Sequence, residues 1–136
     1  MASDGAVRVS TEDVEEKERR GGGAFSRDVA GALGSASMTL RMWRFPAGGA
    51  MPLHRHKTQE EIYHLLSGGP QTVDVEGEMV TMDDGDWLRV SKDTSRRIVN
   101  TTDRDASWMI VGAPPGDGIM DGIRIDPETG EEIPRT

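Results

Sequence analysis

The chain has 136 residues, enough for one ordinary domain, and it contains no cysteine. Its 24 acidic residues outnumber 16 basic ones, so the formal net charge is −8. The lack of cysteine excludes disulfides, thiolate metal ligands and cysteine nucleophiles, and the acidic balance argues against binding to nucleic acid or an anionic membrane. Because no apolar run approaches the roughly 18 residues of a membrane span and the N-terminus has no apolar signal region, we expect a cytoplasmic protein.

Residues 1–23 form a polar N-terminal segment. Ser10 is predicted to cap a short helix with an acidic first turn and with basic residues at its end, near Arg20. The glycines at 21–23 are predicted to end this helix. Only Val14 offers a strong apolar anchor, so we expect the charged residues of the helix to face solvent.

From residue 24 to residue 113, short apolar stretches alternate with turn residues. Apolar and polar side chains alternate over 38–42, whereas Trp43 and Phe45 take the opposite parity, as after a bulge or on a strand buried on both sides. Regular short strands of this kind predict an all-β sandwich or barrel. The predicted strands cover residues 38–42, 51–56, 61–66, 71–76, 78–82, 86–90, 96–100 and 107–111.

The C-terminal segment, residues 114–136, has few strong apolar anchors. Residues 126–130 have the composition of a turn between two short apolar stretches. The segment therefore forms either a loosely held polar tail or a hairpin arm that lies on the barrel or on a partner subunit.

Large apolar side chains are few. Trp43, Trp87 and Trp108 fall on three separate predicted strands, and we expect them to pack in the core or in a dimer interface. Methionine is flexible and fills irregular gaps, so the methionines on the predicted strands are expected to fill the core. They are Met38, Met42, Met51, Met79, Met82 and Met109.

The basic residues are unusual in kind, because only Lys17, Lys57 and Lys92 are lysine. Abundant acid with scarce lysine is typical of proteins adapted to high salt. A high-GC genome that favours arginine codons gives the same pattern, and the composition leaves both interpretations open.

Two of the three histidines are spaced as metal ligands on a strand. His54 and His56 stand at i and i+2, which places both imidazoles on one face. Glu61 follows after a connection short enough for a tight hairpin, so its carboxylate is expected to reach the same point. Two imidazoles and one carboxylate suit a divalent metal ion, Fe, Mn, Ni or Zn, and leave coordination positions open.

The wider stretch resembles the first motif of the cupin superfamily: Gly48, the His-x-His pair, Glu61 and Gly68 stand at the family's spacings. Glu60 is the alternative ligand, but only Glu61 leaves six residues before Gly68. Residues 85–100 resemble the second motif, with its Gly-Asp opening and its final Asn. Three positions depart from that motif: Ser91 replaces a usual Pro, Asp93 a usual Gly, and Arg96 the His that is usually the fourth metal ligand.

The resemblance implies an all-β, cupin-type jelly-roll barrel over residues 24–113. The residue pattern adds a short N-terminal helix before it and an extended C-terminal arm after it. It implies a metal and substrate site inside the mouth of the barrel. Small single-domain cupins commonly form homodimers through their sheets, so a homodimer is expected.

The arginine at position 96 allows two mechanisms. In the first, His54, His56 and Glu61 bind a metal and Arg96 grips an anionic group of the substrate. In the second, Arg96 pairs with Glu61 and takes the place of the metal, because a fixed cation repels a metal ion. A shift of one residue in register would instead turn Arg96 outward.

Other site residues are predicted from parity. Tyr63 shares the face of Glu61 and is expected to place its hydroxyl in the cavity as a substrate-binding group, unless it only packs in the core. Gln71, at the start of the next strand, is a candidate to offer an amide to the ligand. His64 has the opposite parity, so we expect a structural or surface role for it.

Three functions fit these features. The first is a metal-dependent enzyme, a dioxygenase, isomerase or lyase acting on a small anionic organic substrate. The second is a non-catalytic cupin that binds a small molecule in a metal-free pocket. The third is a structural dimer with a vestigial site.

Overall fold

The computed structural model of the chain describes residues 5–19, 23–115 and 121–134. Two antiparallel sheets make up most of it. The six-stranded sheet contains, in spatial order, β1 (Glu16–Arg19), β2 (Ala24–Asp28), β3 (Thr39–Phe45), β10 (Ala106–Ala113), β5 (Glu60–Ser67) and β8 (Trp87–Val90). The five-stranded sheet contains β11 (Gly122–Arg124), β4 (His54–His56), β9 (Arg96–Ile98), β6 (Gln71–Val75) and β7 (Glu78–Met82).

All eight predicted strands are confirmed, with shifted ends, as β3 to β10. The resemblance predicts a barrel, but hydrogen bonds between the described strands do not join the two sheets into one closed ladder. None of the helices that the structure describes is long and apolar enough to cross a membrane.

The core lies between the sheets because side chains alternate along each strand. On β5, Glu61, Tyr63 and Leu65 are buried, and on β10 Trp108 and Ile110 are buried. The methionine prediction holds for Met51 and Met82, which are buried. It is wrong for Met38 and Met79, which are 40% and 62% exposed, and Met42 and Met109 pair across the outer face of the six-stranded sheet.

The predicted N-terminal helix is wrong beyond its first turn. A 3-10 turn spans Thr11–Asp13, and the chain then continues as β1, paired with β2. The charges that resembled a helix surface instead interact between strands: Glu16 accepts hydrogen bonds from Arg44 on β3 and lies 3.9 Å from Arg27 on β2. One short helix that the pattern did not predict, α1 (Val29–Leu33), follows β2 and is capped by Asp28.

The C-terminal segment contributes a strand to the five-stranded sheet. β11 pairs with β4, so that Arg124 lies beside His54 and Gly122 beside His56. Ile125 and Glu132 form a bridge across the turn at residues 126–130. Arg55 of β4 also forms an ion pair with Glu132. This arm therefore closes one edge of the sheet that carries the histidines.

The glycine at position 68 shows why its site requires that residue. Its φ is +89°, and a Cβ there would overlap the backbone carbonyl of Asp105. Glycine alone adopts this conformation without strain and without the overlap. The tight turn after β5 therefore depends on Gly68.

The side chain of Asn100 is a buried centre of hydrogen bonds. Its Nδ2 donates to the carbonyls of Phe45, Pro46 and Arg104, and its Oδ1 accepts from the backbone N–H and hydroxyl of Thr102. Asn100 thereby ties the end of β3 to the loop before β10. An amide is needed because it supplies donors and an acceptor at once.

We expect Asn100→Ala to lower the free energy of unfolding by about 2–3 kcal/mol, because it leaves buried carbonyl groups without donors. Urea denaturation measures the change. Thr101→Ala, at the exposed neighbouring position, serves as the control and should change stability by less than about 0.5 kcal/mol. Equal stability of Asn100→Ala and the wild type would contradict the role given to this amide.

Candidate functional site

A cavity of about 870 Å³ opens between the two sheets and contains the predicted ligands. His54 and His56 come from β4 in the five-stranded sheet, and Glu61 comes from β5 in the six-stranded sheet. The tight hairpin predicted between them is therefore wrong, since β4 and β5 do not pair and residues 57–59 cross from one sheet to the other. The site is assembled from both sheets.

The three ligand groups lie close together. One nitrogen of each histidine and one oxygen of Glu61 all lie within 4.8 Å of one another. The Nε2 atom of His56 is 3.4 Å from Glu61 Oε1. The side chains of His56 and Glu61 are therefore close enough for one ion to bind both.

The ring of His54 is oriented by the backbone. Its Nδ1 lies 2.8 Å from the carbonyl oxygen of Pro52, a hydrogen bond that places the proton on Nδ1 and leaves a lone pair on Nε2. Burial lowers the pKa of His54 to about 4. The imidazole is therefore neutral at neutral pH, which is the form that binds a metal ion.

His56 is held against a carboxylate from the C-terminal segment. Its Nδ1 lies 3.3 Å from Asp121 Oδ2 without a well-aligned hydrogen bond. Burial lowers the pKa of His56, although the charges of Glu61 and Asp121 act in the opposite direction. A carboxylate behind a ligand histidine fixes the ring and raises its basicity toward a metal.

Asp121 is itself fixed by the connection between β4 and β5. Its carboxylate accepts hydrogen bonds from the backbone N–H groups of Thr58 and Gln59 and from the Thr58 hydroxyl. Burial alone would raise the pKa of Asp121, but these bonds more than offset it and lower the pKa overall. The charged Asp121 therefore holds the crossing segment and His56 together.

The guanidinium of Arg96 is fully buried and pairs with Glu61. Its Nη2 donates to Glu61 Oε1 at 2.9 Å, its Nη1 to the carbonyl of Thr94 at 2.6 Å, and its Nε to the Tyr63 hydroxyl at 3.3 Å. The Tyr63 hydroxyl donates to the same Oε1 at 3.1 Å. Burial raises the pKa of Tyr63, so this hydroxyl stays protonated and acts as a donor.

The donor set fits a divalent ion held by three protein ligands. Arg96 and Tyr63 both bind Oε1 of Glu61, and no described residue forms a hydrogen bond with Oε2. That oxygen and the two Nε2 atoms are therefore available to an ion. The charge of Arg96 opposes the ion, so we expect weaker binding than at a site with four neutral or anionic ligands.

The predicted substrate-binding residues take different positions. Arg96 and Tyr63 join Glu61, but they lie beneath it and are not among the described residues that line the cavity. Gln71 is not brought to the site. Its amide donates to the carbonyl of Gly68 and to the Thr102 hydroxyl. His64 lies on the outer face as predicted, with its ring stacked on Trp87 at 3.6 Å.

Several cavity residues escaped prediction. Asp121 is far from the histidines in sequence, and nothing in its local pattern marks it. Arg41 and Thr39 share the inward parity of Trp43, but polar side chains at alternate positions have the same pattern as a solvent-exposed face. Arg19 belongs to the strand that was predicted to be a helix. Besides the three ligands, the lining includes Arg19, Thr39, Arg41, Trp43, Met51, Ile110, Asp121 and Arg124.

Comparison with known proteins identifies the family. A profile of the cupin domain matches residues 41–112, more than half of the sequence. The chain belongs to the cupin superfamily. Comparison with curated protein sequences gives no match.

Solved structures share this cupin fold at low sequence identity. A predicted oxalate decarboxylase from Thermotoga maritima has 22% identity and a TM-score of 0.67, over 78% of this chain and 97% of that one. A sugar phosphate isomerase from Silicibacter pomeroyi has 18% identity and a TM-score of 0.70, over 90% and 88%. The polyketide cyclase RemF from Streptomyces resistomycificus has 17% identity and a TM-score of 0.69, over 85% and 89%.

The departures from the second cupin motif have structural explanations at two positions. Asp93 has a φ of +60°, in the left-handed region, where Asp is among the better tolerated non-glycine residues. Arg96 is on β9 directly opposite His54 on β4, so it faces inward and the outward register is excluded. Position 96 therefore still points to the site, although it carries a cation.

We expect Arg96→Met to lower the free energy of unfolding by about 3–5 kcal/mol, because it leaves a buried carboxylate without its partner. Thermal and urea denaturation measure the loss. The exposed Arg89–Glu60 pair offers a matched control, and Arg89→Met should cost less than about 1 kcal/mol.

A double variant tests the cause of that loss. Arg96→Met combined with Glu61→Leu should regain part of the stability, since no lone charge remains buried. A double variant no more stable than Arg96→Met alone would contradict this explanation.

Proposed function

We propose that this cupin is a metal-dependent enzyme in which His54, His56 and Glu61 bind a divalent ion, Fe, Mn, Ni or Zn, and which acts on a small anionic organic substrate. The observation that carries the proposal is the convergence of two neutral imidazoles and one carboxylate at the wall of a cavity large enough for a small molecule. We also expect the protein to act in the cytoplasm.

The residues around the ligands have separate tasks in this proposal. A bound ion would supply Lewis acidity or redox chemistry at the cavity wall. Arg96 and Tyr63 hold Glu61 through Oε1 and so fix the direction of Oε2. Pro52 orients His54, Asp121 holds His56, and the apolar walls formed by Met51, Trp43 and Ile110 limit the water around a bound substrate.

The three similar structures are named for a decarboxylase, an isomerase and a cyclase. A shared fold does not select among reactions. We therefore keep the proposed reaction as a dioxygenase, isomerase or lyase reaction, with the substrate anion as its common feature.

Metal content tests the proposal directly. We expect untagged protein purified without added metal to carry close to one Fe, Mn, Ni or Zn per chain, measured by elemental analysis. His54→Ala and His56→Ala should lose it, because two ligands are too few to retain an ion against the charge of Arg96.

The third histidine supplies the control. His64→Ala should keep the wild-type metal content, since His64 is stacked on Trp87 outside the cavity. Wild-type protein that carries no metal and takes up none on titration would contradict the proposal.

The buried Arg96–Glu61 pair favours a second candidate, a non-catalytic cupin that binds its small molecule without metal. In this alternative the positive charge of the Arg96 guanidinium takes the place of a metal ion beside Glu61. Metal-free wild-type protein that still binds a small anion would favour it over the enzyme.

We also propose that two copies associate through the outer face of the six-stranded sheet. Met42, Met109, His64 and Trp87 form one row across four neighbouring strands of this face. Ile62 and Leu66 lie beside it and are each 40% exposed. Contiguous exposed apolar surface of this kind is typical of protein interfaces.

We expect Trp87→Asp to convert a dimer into a monomer, measured by light scattering after size exclusion, because a charge cannot be buried without a partner. Met79→Asp is the matched control: Met79 is equally exposed, at 62% against 61% for Trp87, but belongs to the other sheet. A wild-type monomer, or a Trp87→Asp dimer, would count against this interface.

A further inference from the structure

The cavity contains arginines whose side chains are not paired with a carboxylate. Arg19, Arg41 and Arg124 line it, and none of their guanidinium groups forms an ion pair or a hydrogen bond with another residue in the ranges that the structure describes. The other arginines of the two sheets behave differently. Arg27, Arg44, Arg55, Arg89, Arg96 and Arg97 all pair with a carboxylate.

Two of these free arginines are neighbours on the wall formed by the six-stranded sheet. Arg41 and Trp43 share the inner face of β3, and the Arg19 guanidinium reaches from β1 to lie 5.7 Å from the centre of the Trp43 ring. This placement holds Arg19 over the ring by a cation–π contact. Burial lowers the pKa of Arg19, and the charge of Arg41 lowers it further, whereas Asp28 acts in the opposite direction.

The acids of the cavity do not neutralise this pair. Glu61 is engaged by Arg96, and Asp121 is engaged by the N–H groups of Thr58 and Gln59. Glu18, the third acid of the lining, is on the edge strand β1. Asp28 lies opposite Arg41 on β2 and offsets part of the positive charge, but its carboxylate caps α1 and forms no ion pair with either arginine. Two like charges held together without a bound counter-ion are stabilised by an anion that bridges them.

We propose that Arg19 and Arg41 form an anion-binding subsite that holds a carboxylate or phosphate group of the ligand, opposite the histidines and separate from Arg96. β3 and β5 both neighbour β10, so their backbones lie about 10 Å apart. A ligand held by Arg41 therefore reaches Glu61 across the apolar side chain of Ile110 on β10. This geometry selects a small organic acid or phosphate ester with a less polar body.

The inference deepens the proposed function, on which its choice of substrate class rests. In this inference the substrate anion is bound by Arg19 and Arg41, which line the cavity. Arg96, which is buried beneath Glu61, does not bind it. A planar guanidinium binds either oxyanion through two N–H groups. The structure thus indicates that the ligand carries an oxyanion group, and binding measurements decide between carboxylate and phosphate.

Calorimetric titration at low ionic strength tests the subsite with three probes: benzoate, its neutral isostere benzamide, and inorganic phosphate. We expect benzoate or phosphate to bind the wild type, and benzamide to bind at least about tenfold more weakly than benzoate if the carboxylate is the preferred group. Arg19→Gln and Arg41→Gln should each weaken binding of the preferred anion at least about tenfold. Both variants should fold, since neither loses an ion pair.

Arg44→Gln provides a control with the same change of charge on the same strand. Arg44 faces the outer side of β3, where it pairs with Glu16, so anion binding should stay within about twofold of the wild type. Binding of neither anion by the wild type would overturn the subsite. Unchanged affinity in both Arg19→Gln and Arg41→Gln would overturn it as well.

Metal analysis of the same samples separates this inference from the proposed function. We expect both variants to keep the metal content of the wild type, because neither residue is a ligand. Wild-type protein that binds metal but no anion contradicts the subsite and leaves the proposed metal site standing. Wild-type protein without metal that binds an anion through Arg19 and Arg41 contradicts the metal enzyme and supports the subsite.

Discussion

The ion pair between Arg96 and Glu61 is the interaction on which the site depends. Arg96 belongs to the five-stranded sheet and Glu61 to the six-stranded sheet, so one buried pair joins the two layers at the cavity floor. A buried charge is tolerated only with a partner and further hydrogen bonds. Thr94 and Tyr63 supply those bonds, and the position of the carboxylate relative to His54 and His56 follows from them.

Charge is distributed unevenly in this protein. The sequence carries a net charge of −8, yet its main cavity is lined by arginines that form no ion pair with a described residue. An acidic exterior repels anions at long range, but that repulsion is screened beyond about 10 Å in ordinary salt. Inside the cavity the local arginines dominate, so an acidic protein is compatible with an anionic ligand.

The sequence predicts those features that depend on local pattern. Period-two alternation and turn residues locate β3 to β10, and the spacing of His54, His56 and Glu61 locates the candidate ligands. Features that depend on contacts with residues far away in the sequence could not be predicted. Glu16 belongs to a strand because β1 pairs with β2, where its side chain meets Arg44 of β3. Asp121 meets His56 only because the C-terminal segment pairs with β4. Arg41 faces inward because the inner wall of β3 lines a cavity, which local alternation cannot distinguish from a solvent face.

The placement of the ligands on two different sheets has a mechanical consequence. An ion or substrate that contacts β4 and β5 together acts as a brace between the layers, so its binding energy adds to the stability of the folded chain. The coupling also runs in reverse. A substitution deep in the core that changes the spacing of the sheets alters the separation of His56 and Glu61, and so alters affinity without touching the cavity. Packing between the sheets is therefore part of the binding site.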